Sequence, residues 1–144
     1  MKPILGLVPI LLLAACGGGD EPADDPAAKA TADPLAGTSW QLLHIRKTAI
    51  PEDITITASF ADGQVSGQSA CNRYFSSYAV DGDRLSVSPA GTTKKMCAKE
   101  VMGWEDEFLR FLESAHHYRF HEGGLQIFRD GQDALTFAPA PAED

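Results

Sequence analysis

Four pairs of turn-forming residues divide much of this chain into short segments. They are Asp62-Gly63, Asp81-Gly82, Gly123-Gly124 and Asp130-Gly131. Each pair stands between apolar or alternating stretches, and such pairs readily adopt the positive φ angles that tight hairpin turns require. Because a hairpin joins two strands that run in opposite directions, the spacing predicts an antiparallel sheet built largely from consecutive hairpins.

The segments between these turns alternate in the way that strands do. In residues 54–60 the side chains of Ile54, Ile56 and Phe60 share one face, and hydroxyl side chains occupy the other. A later segment places Tyr74 and Tyr78 on one side. Further short strands are predicted in the segments TSWQLLHI, RLSVS, HYRF, GLQIF and ALTF. The pattern predicts about eight short antiparallel strands.

One segment departs from this alternation. Between residues 98 and 115 the apolar side chains recur at steps of three and four, which predicts an amphipathic helix. Its apolar positions are Val101, Trp104, Phe108, Phe111, Leu112 and Ala115, and its polar face is expected to carry Glu100, Glu105, Asp106, Glu107, Arg110 and Glu113. We expect the apolar stripe to pack against the sheet. Alternatively, Trp104, Phe108 and Phe111 line a groove for an apolar ligand. The predicted fold class is mainly β (α+β), with one helix.

The N-terminus predicts the cellular location. A lysine at position 2 precedes an apolar run over residues 4–15, which as a helix would span about 18 Å, against roughly 30 Å for a bilayer core. Such a run is typical of a secretory signal peptide, here residues 1–15. Leu13-Ala14-Ala15-Cys16 resembles a bacterial lipobox, which predicts that Cys16 is lipidated and anchors the protein to a membrane. Gly17 favours the periplasmic face of the outer membrane in a Gram-negative host.

Composition indicates the domain boundaries and one class of partner to exclude. Residues 16–34 are rich in Gly, Ala, Pro and Asp and hold no Leu, Ile, Val or aromatic residue, so they are predicted to form a disordered tether. One folded domain is expected over residues 35–138, followed by a disordered tail over 139–144. With 20 acidic and 12 basic residues, the net charge of −8 repels phosphate backbones, and no nucleic-acid partner is expected.

Two cysteines remain for the folded domain once Cys16 is lipidated. Cys71 and Cys97 form an even pair in an oxidising compartment, and a disulfide between them is the expected arrangement. Two free thiols are the alternative, and Cys97 has features of a reactive thiol. It stands at a predicted helix N-terminus near Lys94, Lys95 and Lys99, all of which lower a thiol pKa. A thiol-redox function therefore stays open.

Other polar patterns give weaker signals. His117 and His121 have the spacing of two metal ligands, but they fall in a strand that runs into a turn, and we interpret them as surface histidines. No phosphate-binding or serine-hydrolase motif is present. We predict no catalytic residue, metal or cofactor. Asn72, Arg73 and Lys94 have two possible roles, in loop structure or in contact with a ligand.

The motifs together resemble a known family. The stretches GTSWQL, SACNRYFSSY and TTKKMCA, a helix ending in FLRFL, and a closing LTF are similar to the META domain, the family of the bacterial heat-shock lipoprotein HslJ. This resemblance implies a partly open antiparallel β-barrel with one helix packed against it. It also implies a link to heat response and antibiotic tolerance, and the family has no established catalytic reaction.

The sequence thus supports one leading hypothesis and two alternatives. The first is a non-enzymatic, monomeric envelope lipoprotein that contributes to stress tolerance by binding an envelope partner. The second is a carrier that holds a lipid or another small hydrophobic ligand between helix and sheet. The third is a thiol-redox protein that uses Cys71 and Cys97.

Overall fold

The computed structural model describes residues 32–131 and 133–141. Within these ranges the chain forms ten strands and one helix, in the order β1 (Thr38–Ile45), β2 (Thr48–Ala49), β3 (Thr57–Ala61), β4 (Gln64–Gln68), β5 (Arg73–Asp81), β6 (Arg84–Val87), β7 (Gly91–Thr92), α1 (Lys99–Glu113), β8 (His117–His121), β9 (Gly124–Phe128) and β10 (Ala134–Pro139). The fold class predicted from the sequence, mainly β with a single packed helix, is confirmed. No helix in this part of the chain is long and apolar enough to cross a membrane.

The strands form one antiparallel, ring-like sheet. Its order is β10-β9-β8-β6-β5-β4-β3-β1, and pairing of β10 with β1 completes the ring. Eight of the strands have at least four residues, as predicted. The other two, β2 and β7, have two residues each, which is too short for alternation to show in a sequence. The predicted turns are present, and Asp62 and Gly63 both have positive φ angles, of 52° and 75°.

The ring is weakest between β6 and β8. Only Arg84 and His117 are paired there in strand register, supported by backbone bonds from Leu85 N to the carbonyl of His116 (2.9 Å) and from Tyr118 N to that of Asp83 (3.0 Å). Helix α1 lies in the chain directly before β8. This seam accounts for the partly open architecture that the family resemblance implied.

The interior of the ring is packed with apolar side chains. Aromatic rings meet edge to face, with ring centroids 5.3 Å apart for Tyr74 and Phe108 and 5.0 Å apart for Phe60 and Tyr78. The buried apolar residues of the described chain lie within residues 35–137, and all of them except Cys71 and Ala134 form a single cluster. Because these residues all follow the predicted tether, we expect the chain from residue 17 onward to fold by itself.

Two predicted boundaries need correction. The tether was predicted to reach residue 34, but Asp33 accepts hydrogen bonds from Leu35 N (2.9 Å) and Ala36 N (3.2 Å), and from the hydroxyl of Tyr78. The tail was predicted to begin at residue 139, but β10 includes Pro139, and Ala140 N donates to the carbonyl of Ser39 (3.0 Å). Backbone pairing and an aspartate-capped turn extend the folded domain at both ends. Residues 1–31 and 142–144, with the predicted lipidation site Cys16, lie outside the described residues.

Candidate functional site

A buried carboxylate joins helix α1 to the loop between β4 and β5. One oxygen of Glu105 accepts hydrogen bonds from Ser69 Oγ (3.0 Å), Cys71 N (3.1 Å) and Asn72 N (2.7 Å). The other accepts one from Asn72 Nδ2 (2.8 Å). Glu105 is 6% exposed, and Ser69 and Asn72 are also buried. We call these residues, with the disulfide described below, the Glu105 cluster.

Asn72 extends the cluster to the segment that leads into the helix. Its side-chain oxygen accepts hydrogen bonds from Lys95 N (2.7 Å) and Thr93 Oγ1 (3.0 Å). Its Nδ2 donates to the carbonyl of Lys95 (3.2 Å) as well as to Glu105. One asparagine therefore connects three parts of the chain: the β4–β5 loop, the β7–α1 connection and the helix. Asn72 is 3% exposed, and each of these contacts lies within the protein.

A disulfide closes the same region. Cys71 and Cys97 are bonded, with their Cα atoms 5.9 Å apart and a sequence separation of 26. The bond that the cysteine count predicted is thus present, and it fastens the β4–β5 loop to the chain just before α1. Because both sulfurs are used in the bond, neither cysteine in this state is the free thiolate that nucleophilic or redox chemistry needs.

The electrostatics of Glu105 follow from two opposing effects. Burial raises the pKa of the carboxyl, but hydrogen bonds from Asn72, Ser69 and Cys71 favour the ionised form, and together they hold the pKa below its ordinary value. The carboxylate is therefore charged at neutral pH and binds the loop through charge-assisted hydrogen bonds. Ala70, within this loop, has a φ angle of +88°, a conformation disfavoured for L-residues that these bonds help to maintain.

This pKa gives a pH-dependent contribution to stability. The folded-state pKa lies below that of the unfolded chain, about 4.3 for glutamate, so the contribution of Glu105 is fully present above that value. It is lost as the pH falls through the unfolded pKa and then the folded pKa. We expect denaturant unfolding of the wild type to show this acid-dependent loss, and Glu105→Gln to show a shallower dependence over the same range. Equal slopes for the two proteins would contradict the assignment.

The predicted position of Glu105 was wrong. It was assigned to the polar face of the helix, but it is buried beside the apolar stripe. The signal was present, since Glu105 lies four residues after Val101 and three before Phe108, which is the spacing of residues on one helical face. A glutamate at such a position must find internal hydrogen-bond partners, and SACN supplies four donors.

The remaining predicted site residues do not join the cluster through their side chains. Arg73 and Lys94 are exposed. Phe108 and Phe111 are 0% and 1% exposed, and Trp104 is half-buried. Phe108 packs on Tyr74 inside the ring, so two of the three residues proposed for an open groove belong to the packed core.

Metal binding has no support among the residues that the structure describes. No group of three or more His, Cys, Asp or Glu side chains there is placed to hold an ion. His117 and His121 are both exposed on β8.

The family follows from a direct comparison. The family model of the META domain matches residues 33–142, which is most of the chain. The chain belongs to the META domain family. The match covers the whole ring-like sheet and helix α1, so the Glu105 cluster lies within the META domain itself.

Solved structures share the architecture of this META domain. An NMR structure of a protein from Burkholderia xenovorans is 26% identical, with a TM-score of 0.63, and the match covers 78% of this chain and 93% of that one. A second NMR structure is 17% identical, with a TM-score of 0.60, covering 76% and 96%. A DUF4847 family protein from Bacteroides vulgatus is 16% identical, with a TM-score of 0.55, covering 76% and 97%. No curated protein sequence matches this chain.

Proposed function

We propose that this META domain protein is a lipid-anchored, extracytoplasmic binding protein without catalytic activity, which supports envelope stress tolerance through a partner. The observation that carries this proposal is the Glu105 cluster. Among the described residues, Glu105 is the one acidic residue that is buried. Its carboxylate oxygens accept four hydrogen bonds from the β4–β5 loop. A catalytic acid or base needs access to a substrate proton, and this carboxylate has none.

The disulfide and the N-terminal sequence support the location. Disulfides persist in oxidising compartments outside the cytoplasm, and the Cys71–Cys97 bond is built into the fold. The lipobox-like Leu13-Ala14-Ala15-Cys16 provides the anchor in this proposal. A tether of about twenty residues would let the folded domain reach partners at some distance from the membrane.

The packed interior argues against the carrier hypothesis. A lipid carrier needs a cavity that receives an acyl chain, whereas the largest fully buried side chains, Tyr74, Phe60, Phe108, Phe111 and Phe137 among them, occupy the inside of the ring. A binding role therefore depends on the outer surface of the domain.

Replacing Cys16 tests the anchor. We expect wild-type protein to incorporate labelled palmitate and to fractionate with the outer membrane, and Cys16→Ser to incorporate none and lose that fractionation. In a strain that lacks the gene, the wild type should restore survival under heat or antibiotic stress more fully than Cys16→Ser. Cys71→Ala is the matched control, because it also removes one cysteine but should still be acylated. Acylation of Cys16→Ser, or no acylation of the wild type, would contradict the proposal.

A further inference from the structure

One outer face of the sheet carries almost no charge. Its outward positions lie in residues 39–41, 57–61, 64–68 and 73–77, and only Arg73, at one corner, is charged. In the whole chain 22% of residues are charged, so this face differs sharply from the rest. We call it the uncharged face, and its polar side chains include Ser39, Gln41, Thr57, Ser59, Ser66 and Gln68.

A row of paired side chains crosses this face from strand to strand and follows the curvature of the ring. Ser39 is paired with Ser59, Ser59 with Ser66, and Ser66 with Phe75, on four neighbouring strands. With strands about 4.8 Å apart, the row is about 14 Å long. The hydroxyls of Ser39 and Ser59 are 3.0 Å apart. The row therefore presents three neighbouring hydroxyl groups, on β1, β3 and β4, each able to donate and to accept a hydrogen bond.

An exposed aromatic ring ends the row on one side. Phe75 is 59% exposed, although it is among the most apolar residues of the chain. Its ring lies across Gly91 of β7, where a Cβ atom would stand only 2.5 Å from the ring's Cζ. Glycine at this position lets one face of the ring lie close against the sheet. The exposed side of the ring faces outward and is available to a ligand.

A surface depression ends the row on the other side. It has a volume of about 570 Å³ and is lined by Ser39, Gln41, Thr57 and Ser59, with Ala140 and Pro141 from the C-terminal segment as one wall. This volume lies within the range of small-molecule sites in proteins. The depression, the row of serines and the ring of Phe75 together form a continuous, uncharged surface.

The chemistry of this surface restricts its partner. An apolar partner would bury the hydroxyl and amide groups without hydrogen bonds, which is costly. A highly charged partner would find one counter-charge, Arg73, and would lose its own hydration. A neutral glycan avoids both costs, because its hydroxyl and acetamide groups donate and accept hydrogen bonds and its C–H faces pack on aromatic rings.

We propose that the uncharged face binds a neutral, N-acetylated glycan chain laid across strands β1, β3, β4 and β5. Sugar residues would lie along the serine row, with one stacked on Phe75 and the chain end in the depression. This inference names a class of partner for the proposed binding role, and it rests on that role.

The test uses the chain from residue 17 onward, which contains every buried apolar residue of the described chain, and tetra-N-acetylchitotetraose as the probe. We expect saturable binding in NMR titrations, with shifts concentrated at the backbone amides of β1, β3, β4 and β5. Ser59→Glu places a carboxylate in the middle of the row and should weaken binding at least tenfold. Phe75→Ala should weaken it as well, because the stacking surface is removed.

The matched control is Ser86→Glu, the same substitution at an exposed position on β6 outside this face. It should bind as the wild type does, and the dispersion of each spectrum reports whether the variant is folded. The inference would be overturned if the glycan caused no saturable shift, or if Ser59→Glu bound it as tightly as the wild type. It would also be overturned if raising the protein concentration alone shifted the same amides. The last result would identify a second copy of the chain as the partner. Acylation and membrane fractionation are measured separately, so failure here leaves the proposed anchor intact.

Discussion

Replacing Glu105 with alanine is expected to destabilise the protein by about 3–5 kcal/mol, because it leaves several buried donors without an acceptor. Those donors are Ser69 Oγ, the backbone amides of Cys71 and Asn72, and Asn72 Nδ2. A domain of this size has a total stability of about 5–15 kcal/mol, so the variant should lose a large part of it. Denaturant unfolding monitored by tryptophan fluorescence measures the change.

Asp106→Ala is the control for this substitution. It removes a carboxylate from the next residue of the same helix, but Asp106 is 60% exposed, and its ion-pair partner among the described residues is the exposed Arg110. Surface pairs of this kind contribute about 0–1 kcal/mol. Similar losses for the two variants would show that the Glu105 cluster does not stabilise the fold as described.

Removal of the disulfide is expected to cost about 3–4 kcal/mol, from the entropy of the loop that it closes in the unfolded chain. The two cysteines that close this loop have a sequence separation of 26. Cys71→Ala/Cys97→Ala should therefore unfold at a clearly lower denaturant concentration than the wild type. A reductant should lower the stability of the wild type to about that of the double variant, and it should have no effect on the double variant.

A thiol count accompanies this experiment. The chain from residue 17 onward should show no free thiol after denaturation without reductant, since both of its cysteines are bonded. Two free thiols in protein exported to an oxidising compartment would contradict the structural role of the bond. They would also restore the thiol-redox hypothesis.

The two expected losses are coupled. Cys71 donates its backbone amide to Glu105 and its sulfur to the bond with Cys97, so both changes release the same β4–β5 loop. Residues in one network usually show non-additive energies. We expect the combined variant to lose less than the sum of the separate losses.

Most of the architecture could be predicted because it depends on local patterns. The alternation in residues 54–60 and the Asp62-Gly63 turn predict one strand and its hairpin without reference to the rest of the chain. Ring closure could not be predicted in this way, because the pairing of β1 with β10 joins segments nearly a hundred residues apart. Only the family resemblance indicated it.

The Glu105 cluster shows a different limit of sequence reasoning. The cysteine pair could be predicted by counting, and a role in the loop was one of two expected for Asn72. The acceptor of the Asn72 backbone amide, Glu105, lies 33 residues away in sequence, and no local pattern connects the two. Glu105 is one of several acidic residues on its helix, so composition does not distinguish it from Asp106 or Glu107. Its position relative to Val101 and Phe108 does distinguish it, and helical spacing should therefore be applied to charged residues as well as to apolar ones.

Native-state hydrogen exchange at the amides of Cys71 and Asn72 tests directly whether the SACN loop is a rigid structural element held by a buried carboxylate. If so, both amides should exchange only through global unfolding, with the same free energy as the most protected amides of the sheet. Rapid exchange through local opening, while the strands stay protected, would contradict a rigid loop. It would show a mobile loop and an accessible Glu105, as a catalytic or ligand-binding role requires.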